Sequence, residues 1–382
     1  MKLLEKFFGR SQETKQNYNS KSLSLKNMST SAVWSQYNYN SFCLEAYRKN
    51  PIAYSCIRMT VDGAARIPLK LYKNNTSLQD HPVLKLLQTP NNKQNGFALR
   101  SELLSALQIS GNSYLKIITD KYKKHPLALY PLRSDRVHIE TTASGRIAHY
   151  TYAPSGSAHK NIIPTDHIMH LKYYSADDDY YGQAPLYAAM RSNDIHNKIA
   201  DFQKSLLDNS ARPSGCLVYH GTHNAPNLTK DQFERLKSEL EENYIGASAA
   251  GRPMILEGGL DWKTMSLSPA DMEFAELRHQ TAREIALCFG VPPMMLGIPG
   301  DNTYSNYSEA IKVFTRNTLI PMSEKLCDAL SQKLSHFYGD LLTLKPDIDA
   351  LPAFLPERES HRNFIANASF LSDEQKYKLL FS

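Results

Sequence analysis

Residues 251–297 read GRPMILEGGLDWKTMSLSPADMEFAELRHQTAREIALCFGVPPMMLG, and this stretch decides the fold. Its first half holds two strand-like runs, RPMILE and WKTMSL, joined at Gly258-Gly259, a turn signal. Ser268-Pro269 then opens a helix. Serine caps free backbone N–H groups, and proline takes the first helical position, where its missing N–H had no partner. Asp271, Glu273 and Glu276 fall near the positive end of the helix dipole. Gly290 ends the helix, and Val291-Pro292-Pro293 prevents continuation. The spacing predicts a helix over Pro269–Phe289, about 31 Å long at ~1.5 Å per residue.

Upstream, no proline or glycine intervenes between Leu186 and Ala211, which predicts a second long helix. Its apolar positions Ile195, Ile199, Phe202 and Leu206 keep to one stripe on an otherwise polar surface, and Arg212-Pro213 ends it. Between the two helices lies a small strand–helix–strand insert. GCLVYH reads as a strand. A helix opens at Leu228-Thr229, where Thr229 and Gln232 form a capping box and Leu228 staples onto Phe233. Phe233, Leu236, Leu240 and Tyr244 give it one apolar face. Downstream, the loop VPPMMLGIPGDNTYS leads to a last long helix over Asn306–Tyr338 with the stripe Ile311, Phe314, Met322, Leu326, Leu330 and Leu334. Pro321 should kink it. The tail from Leu344 is proline-rich and ends in a short helical piece. Narrow apolar stripes need neighbours to cover them, which points to side-by-side packing with copies of the same chain.

The N-terminal half has a different texture. Asn50 caps and Pro51 starts a helix that stops at Ile67, before Pro68. The strand LKLY follows, then a helix over Phe97–Ile109 with Leu103, Leu104 and Leu107 on one side and Gly111 at its end. SYLKIIT, LALYPL, RVHIE, RIAHYTYA and HIMHLKYY read as strands between turns rich in Pro, Gly, Ser and Asp. Residues 45–183 therefore form an α+β body. Before it, the opening MKLLEKFFGR and the polar run Ser11–Ser31 read as a flexible arm.

Composition limits the chemistry. Apolar residues at 42% support real cores, and a formal charge of +6 is too diffuse for a dedicated DNA reader. The five cysteines (Cys43, Cys56, Cys216, Cys288 and Cys327) are odd in number and hold no C-x-x-C pair. Free thiols in a reducing cytoplasm are the plain reading. No run reaches the roughly 18 apolar residues of a membrane helix. Phosphate-binding motifs, a G-x-S-x-G elbow and H-E-x-x-H are all missing. Glu257, Asp261 and Glu273 have no nucleophile paired with them. Asp166, His167 and His170, with Asp177, Asp178 and Asp179 downstream, are the metal candidates. Strand alternation puts the two histidines on opposite faces, so no catalytic, metal or cofactor site is expected. Arg191, Lys198 and Lys204 on one long helix and Arg278, His279 and Arg283 on the other are candidates for sequence-blind phosphate contact.

NSARPSGCLVY (209–219), TKDQFERLKSELEENY (229–244), the 251–297 stretch and TYSN (303–306) together resemble the HK97-type phage portal family. So do NPIAYSCIRMTVDGAARIPLKLY (50–72), HPVLKLLQTPN (81–91) and GNSYLKI (111–117). The resemblance covers about residues 45–340 in family order and implies an elongated α+β subunit in a ring of twelve at a capsid vertex. The implied parts are a flexible arm at 1–44, a wing at 45–183, stem helices at 184–213 and 268–290, and a clip at 214–267. A tunnel loop follows at 291–305, then a long wing or crown helix at 306–340 and a short crown segment at 341–382. Pro292, Pro293, Met294, Met295, Leu296, Gly297, Asp301 and Asn302 are the implied loop residues, with Met294 and Met295 at its tip, and the six basic residues would line the channel. Implied partners are double-stranded DNA, the terminase large subunit, a head–tail adaptor, and major capsid and scaffold proteins, with no membrane. The implied place is the virion, and the host cytoplasm during assembly. The short crown departs from the pattern and is compatible with a prophage remnant or gene-transfer particle. The alternatives are a metal-dependent nuclease on Asp166, His167 and His170, or a monomeric DNA-binding adaptor.

Overall fold

Alternation along one strand organises the N-terminal body. In the computed structural model, β3 (Asn112–Thr119) pairs antiparallel with β4 (Pro126–Leu132) on one side and β8 (Ile168–Lys172) on the other. Leu115 and Ile117 point into the main core, while Tyr114, one residue before Leu115, points into a second, smaller one. The flanking strands split the same way: Leu129, Met169 and Leu171 join the main core, Leu132 and Ile168 the smaller one. Both faces of this sheet are covered, which is why its strands read as near-continuous apolar runs. The small core is closed by a second sheet, β5 (Val137–Thr141), β6 (Ile147–Tyr152) and β7 (Asn161–Pro164), through Val137, Tyr150 and Ile163.

The structure describes residues 35, 38–74, 76–120, 125–155, 159–208, 216–219, 229–244, 260–263, 273–299, 304–339, 341–368 and 371–376. Outside them lie most of the expected N-terminal arm, the Arg212-Pro213 stop, the Leu228 staple, the strand RPMILE, the Gly258-Gly259 turn, Glu257, the Ser268-Pro269 cap, and Asp301 and Asn302 of the loop.

Helices build the other side of the main core. A short α1 (Tyr39–Ser41) runs into a π-helical segment, Phe42–Arg48. α2 (Pro51–Arg66) begins as expected, with the Asn50 side chain accepting from the Ile52 and Ala53 N–H groups. It buries Ala53, Cys56, Ile57, Thr60, Val61, Ala64 and Ala65, a 3–4 spacing that makes one face. β1 (Leu69–Lys73) forms a sheet with β2 (Thr76–Leu78) and with β11 (Leu342–Pro346), so the chain's far end returns beside its beginning. A short α3 (Pro82–Gln88) and α4 (Gly96–Ser110) follow. Leu99, Leu103, Leu104 and Leu107 of α4 are each at most 1% exposed. Full burial of a leucine contributes about 1.5–3 kcal/mol over exposure.

The later helices are α5 (Pro185–Asp208), α6 (Lys230–Tyr244), α7 (Phe274–Cys288), α8 (Tyr304–Phe314), α9 (Ile320–Tyr338) and α10 (Leu355–Asn367). α7 is described from Phe274, after Glu273 in a left-handed conformation (φ 49°) that no helix interior accepts; the expected start at Ser268-Pro269 lies outside the described residues. Its 15 residues span about 22 Å at ~1.5 Å each. Ahead of Pro321, where a kink was expected, a π-helical turn, Thr315–Leu319, joins α8 to α9, a widening that accommodates the lost proline N–H. The tail begins with β11 rather than an irregular run. In the insert, β9 (Cys216–Tyr219) pairs antiparallel with β10 (Leu260–Lys263). The capping box forms: Gln232 N–H donates to Thr229 Oγ1 (3.3 Å) and Thr229 N–H to Gln232 Oε1 (3.0 Å). Cys56 and Cys327 are buried free thiols, pushed up to about 12 by desolvation. Among the described residues, no helix is long and apolar enough to cross a membrane.

Candidate functional site

The two helices singled out in the sequence pack on each other. Phe202 of α5 meets Phe274 of α7 at 5.1 Å between ring centroids. Ser192 donates to Glu284 Oε2 (2.6 Å), and Arg278 donates to Gln203 Oε1 (3.1 Å). Ile199 and Ile285 are buried, so part of each thin stripe is covered within one chain. Phe202 stays 40% exposed and Leu287, on the far side of α7, 79%.

A third face of α5 is tied to the chain's start by hydrogen bonds. Asn193 and Asn197 donate to the Glu45 carbonyl (3.0 and 2.7 Å), and Asp194 accepts from Ser35 N–H and Oγ (2.8 and 2.6 Å). Asn50 Oδ1 is engaged by two backbone N–H groups of α2, so its amide nitrogen faces α5. There it donates to His196 Nδ1 (3.2 Å) and Asn197 Oδ1 (3.0 Å). His196 is therefore neutral with its proton on Nε2. Burial, then the Arg278 charge, lowers its pKa. Sequence reading missed this seam, although the run NDIHN (193–197) is dense in polar side chains for a helix interior.

The base of α5 is fixed by Asn112. Its Oδ1 accepts from Gly182 N–H (2.7 Å) and its Nδ2 donates to the Gly182 and Ser110 carbonyls (3.0 and 2.9 Å). His170 Nε2, 3.0 Å from the same Oδ1, must then be the donor. The His170 ring stacks on Tyr114 at 4.4 Å, and desolvation, helped by Lys172, pushes its pKa down to about 4.

These contacts account for the metal candidates. His170 holds Asn112, while His167 Nδ1 lies 3.4 Å from the Ile117 carbonyl and its ring packs against Phe337. Asp178 accepts from Tyr180 and Tyr181 N–H (2.7 and 2.9 Å), which lowers its pKa. Lys172 donates to the Asp179 carbonyl. Among the described residues, no three His, Cys, Asp or Glu side chains are grouped to hold a metal ion. Asp261 lies on β10 and Glu273 at the start of α7.

The six basic residues do not form one surface. At about 100° per residue, Arg191 and Lys198 fall on the same exposed face of α5, while Lys204, also exposed, is about 140° from Arg191 around the helix. Arg278 closes the α5–α7 seam, and His279 is half-buried. Arg283 donates to the Pro299 carbonyl (2.6 Å) and lies 3.6 Å from Glu276.

The loop after α7 opens with a 3-10 turn, Pro293–Leu296, capped by Gly297 at φ 70°. Met295 N–H donates to the Pro292 carbonyl and Gly297 N–H to that of Met294. Met295 and Leu296 pack against the main core and Ile298 is buried. Described residues on the exposed side are Gly297 and Pro299. Between the end of α7, this turn and the α8–α9 junction lies an open groove of about 660 Å³, lined by Gln280, Glu284, Leu287, Pro292, Val313 and Asn317 among others.

This architecture has known counterparts. The profile of the family described as Phage portal protein matches residues 51–371. An uncharacterised protein of Rickettsia felis is 38% identical over 341 residues, 87% of this chain and 86% of that one. The portal protein of Enterobacteria phage HK97 is 24% identical over 254 residues, covering 64% and 57%. Chains from necks of gene transfer agent particles are 40% identical, covering 91% of this chain and 94% of those. The TM-score is 0.74 for the empty particle, computed with C6 symmetry, and 0.72 for the native particle, computed with C12 symmetry.

Proposed function

The chain belongs to the phage portal protein family, and from that premise we propose that it forms the ring through which double-stranded DNA enters and leaves a tailed-phage or gene-transfer particle. A portal is a structural component of the capsid and not an enzyme, which agrees with a site built from packing and hydrogen bonds. The observation that carries the proposal is the α5–α7 pair: two helices joined by a small α/β insert and followed by a loop whose base is pinned to the core. Likeness at 40% identity to chains of particle necks supports the same reading. A ring of twelve satisfies both reported symmetries, six and twelve.

In this reading 45–183 is the wing, and 184–213 and 268–290 are the stem around the channel. The insert 214–267 is the clip that meets the terminase large subunit and later the head–tail adaptor. The segment 291–305 is the tunnel loop, and 306–382 completes wing and crown against capsid and scaffold proteins. The wider loop from Gly297 onward, with Asp301 and Asn302, is the part we assign to the duplex, since Met295 and Leu296 are anchored in the core. Contacts there are to phosphate and sequence-blind. The chain has no nucleotide-binding motif, so the force for packaging comes from the terminase.

Negative-stain microscopy with light scattering tests the ring. Particles with a central hole and about twelve times the mass of the chain are expected, and closed dimers without a hole would end the proposal. Deleting residues 299–301, beyond the anchored Met295 and Leu296 and the buried Ile298, should leave rings intact but impair DNA packaging or retention. Normally filled particles from that variant would remove the tunnel-loop assignment.

A further inference from the structure

Two exposed stripes run along the α5–α7 pair. On α5, Tyr187, Arg191, Lys198 and Phe202 fall within about 60° of arc, and Tyr187 and Phe202 are 39% and 40% exposed. The stripe is aromatic and basic, and remains net positive with exposed Asp201 at its margin. On α7, Glu276, Gln280, Arg283 and Leu287 also fall within about 60°, with Glu284 at the edge. With Glu284 counted, this second stripe is net acidic by one charge, Arg283 lying 3.6 Å from Glu276. Its lower end opens into the groove between Leu287, Pro292 and Val313, where Leu287 is 79% and Val313 44% exposed. One stripe thus offers aromatic rings and positive charge, and the other a groove with an apolar rim and negative charge.

We propose that the α5 stripe of one copy docks on the α7 stripe and groove of the next copy, with Tyr187 or Phe202 seated against Leu287 and with Arg191 and Lys198 facing Glu276 and Glu284. The inference rests on the ring reading and says how that ring closes. Two unlike, complementary patches make a head-to-tail contact, and such a contact closes into a ring when its rotation divides a full turn. Large exposed apolar side chains rimmed by charge mark association sites, and opposite potentials select register and exclude like-charged pairings. Along the helices, Arg191 and Lys198 are about 10 Å apart and Glu276 and Glu284 about 12 Å, so the two charge pairs match in spacing. Arg191 and Lys198 therefore serve the neighbouring copy rather than the DNA.

Two variants test this. One carries Arg191→Glu and Lys198→Glu, the other Glu276→Lys and Glu284→Lys. Each alone sets like charge against like, and should need at least about tenfold more protein than wild type to form rings. Mixed in equal amounts, each variant's altered stripe meets a complementary one, so rings should return with the two chains alternating one to one. Native mass spectrometry reads that ratio, and thermal melting checks that each variant is folded. Leu287→Asp, at a position that touches little within its own chain, should abolish rings without lowering the melting temperature, and it decides the matter should a charge variant misfold. If wild type forms no ring, the ring reading fails and this inference with it. If wild type assembles and the charge variants assemble equally well alone, or the mixture fails to assemble, the ring stands and this interface is refuted. DNA loss from intact variant rings would likewise refute it and return Arg191 and Lys198 to the channel wall.

Discussion

Replacing Gly111 by alanine probes the joint that aims α5. Gly111 ends α4 at φ 75°, and its amide donates to the Leu107 carbonyl while its own carbonyl accepts from Tyr173 N–H. A Cβ there would lie 2.5 Å from Gln183 C and Gly182 O and 2.6 Å from Ala184 N. All three are backbone atoms, so the chain leading into α5 must retreat by about 1 Å to reach ordinary contact distance. The left-handed conformation costs a non-glycine residue ~1–2 kcal/mol. Displacing 182–184 also strains the Asn112 bonds to both polar groups of Gly182, and two weakened hydrogen bonds cost ~1–3 kcal/mol more. The sum is about 2–5 kcal/mol, which lowers the melting temperature by roughly 2–6 °C in a chain of 382 residues, at ~2.1 cal/mol/K of unfolding entropy per residue. Gly297→Ala is the control: its φ is 70°, but nothing lies within 4 Å of the added carbon. It should lose only the conformational part, roughly 1–2 °C. Differential scanning fluorimetry of both variants measures the contrast. Equal losses in the two variants would show that close packing at this joint does not hold α5 in place.

Two further outcomes follow from local contacts. The folded-state pKa of His170 lies below its ordinary value of 6.5, at about 4, so the unfolded chain binds this proton more tightly. Stability from this group is complete above about pH 6.5 and is lost as pH falls toward 4. His170→Gln, which keeps a donor for Asn112, should show a shallower fall in melting temperature over that window, and parallel curves would refute the assignment. Thr229→Ala removes the cap of α6 at about 1 kcal/mol. Amide exchange in the first turn, at Gln232, should quicken about fivefold, and an unchanged rate would mean that the cap adds nothing there.

Much of this fold was legible because its signals are local. Asn50-Pro51 begins α2, Gly111 ends α4, and five of the strands in the N-terminal body follow from apolar runs between turn residues. What escaped reading depends on partners far along the chain. β11 is LTLKP, ordinary by composition, and is a strand because Leu344 pairs with Leu71 and Pro346 with Leu69. β7 is four residues with Ile162 exposed, too short for alternation to show.

The candidate site was less legible than the fold, and helix geometry explains the difference. Lysine and arginine counts treat six residues as one surface, but the α5–α7 contact divides them. Arg278 is spent inside the seam, Arg283 on the loop, and Arg191 and Lys198 share a flank that Lys204 does not. The polar run 193–197 carries the opposite lesson. Charge-poor hydrogen bonds contribute little net stability, about 0.5–1.5 kcal/mol each, yet a slip of one residue along α5 would leave Asn193, Asp194, His196 and Asn197 buried without partners. Each such orphan costs about 1–3 kcal/mol. The seam therefore fixes register more than it adds strength. It sets how far α5 projects from the N-terminal body, and in the proposed ring, whose copies present matching stripes, this projection must be the same in every one.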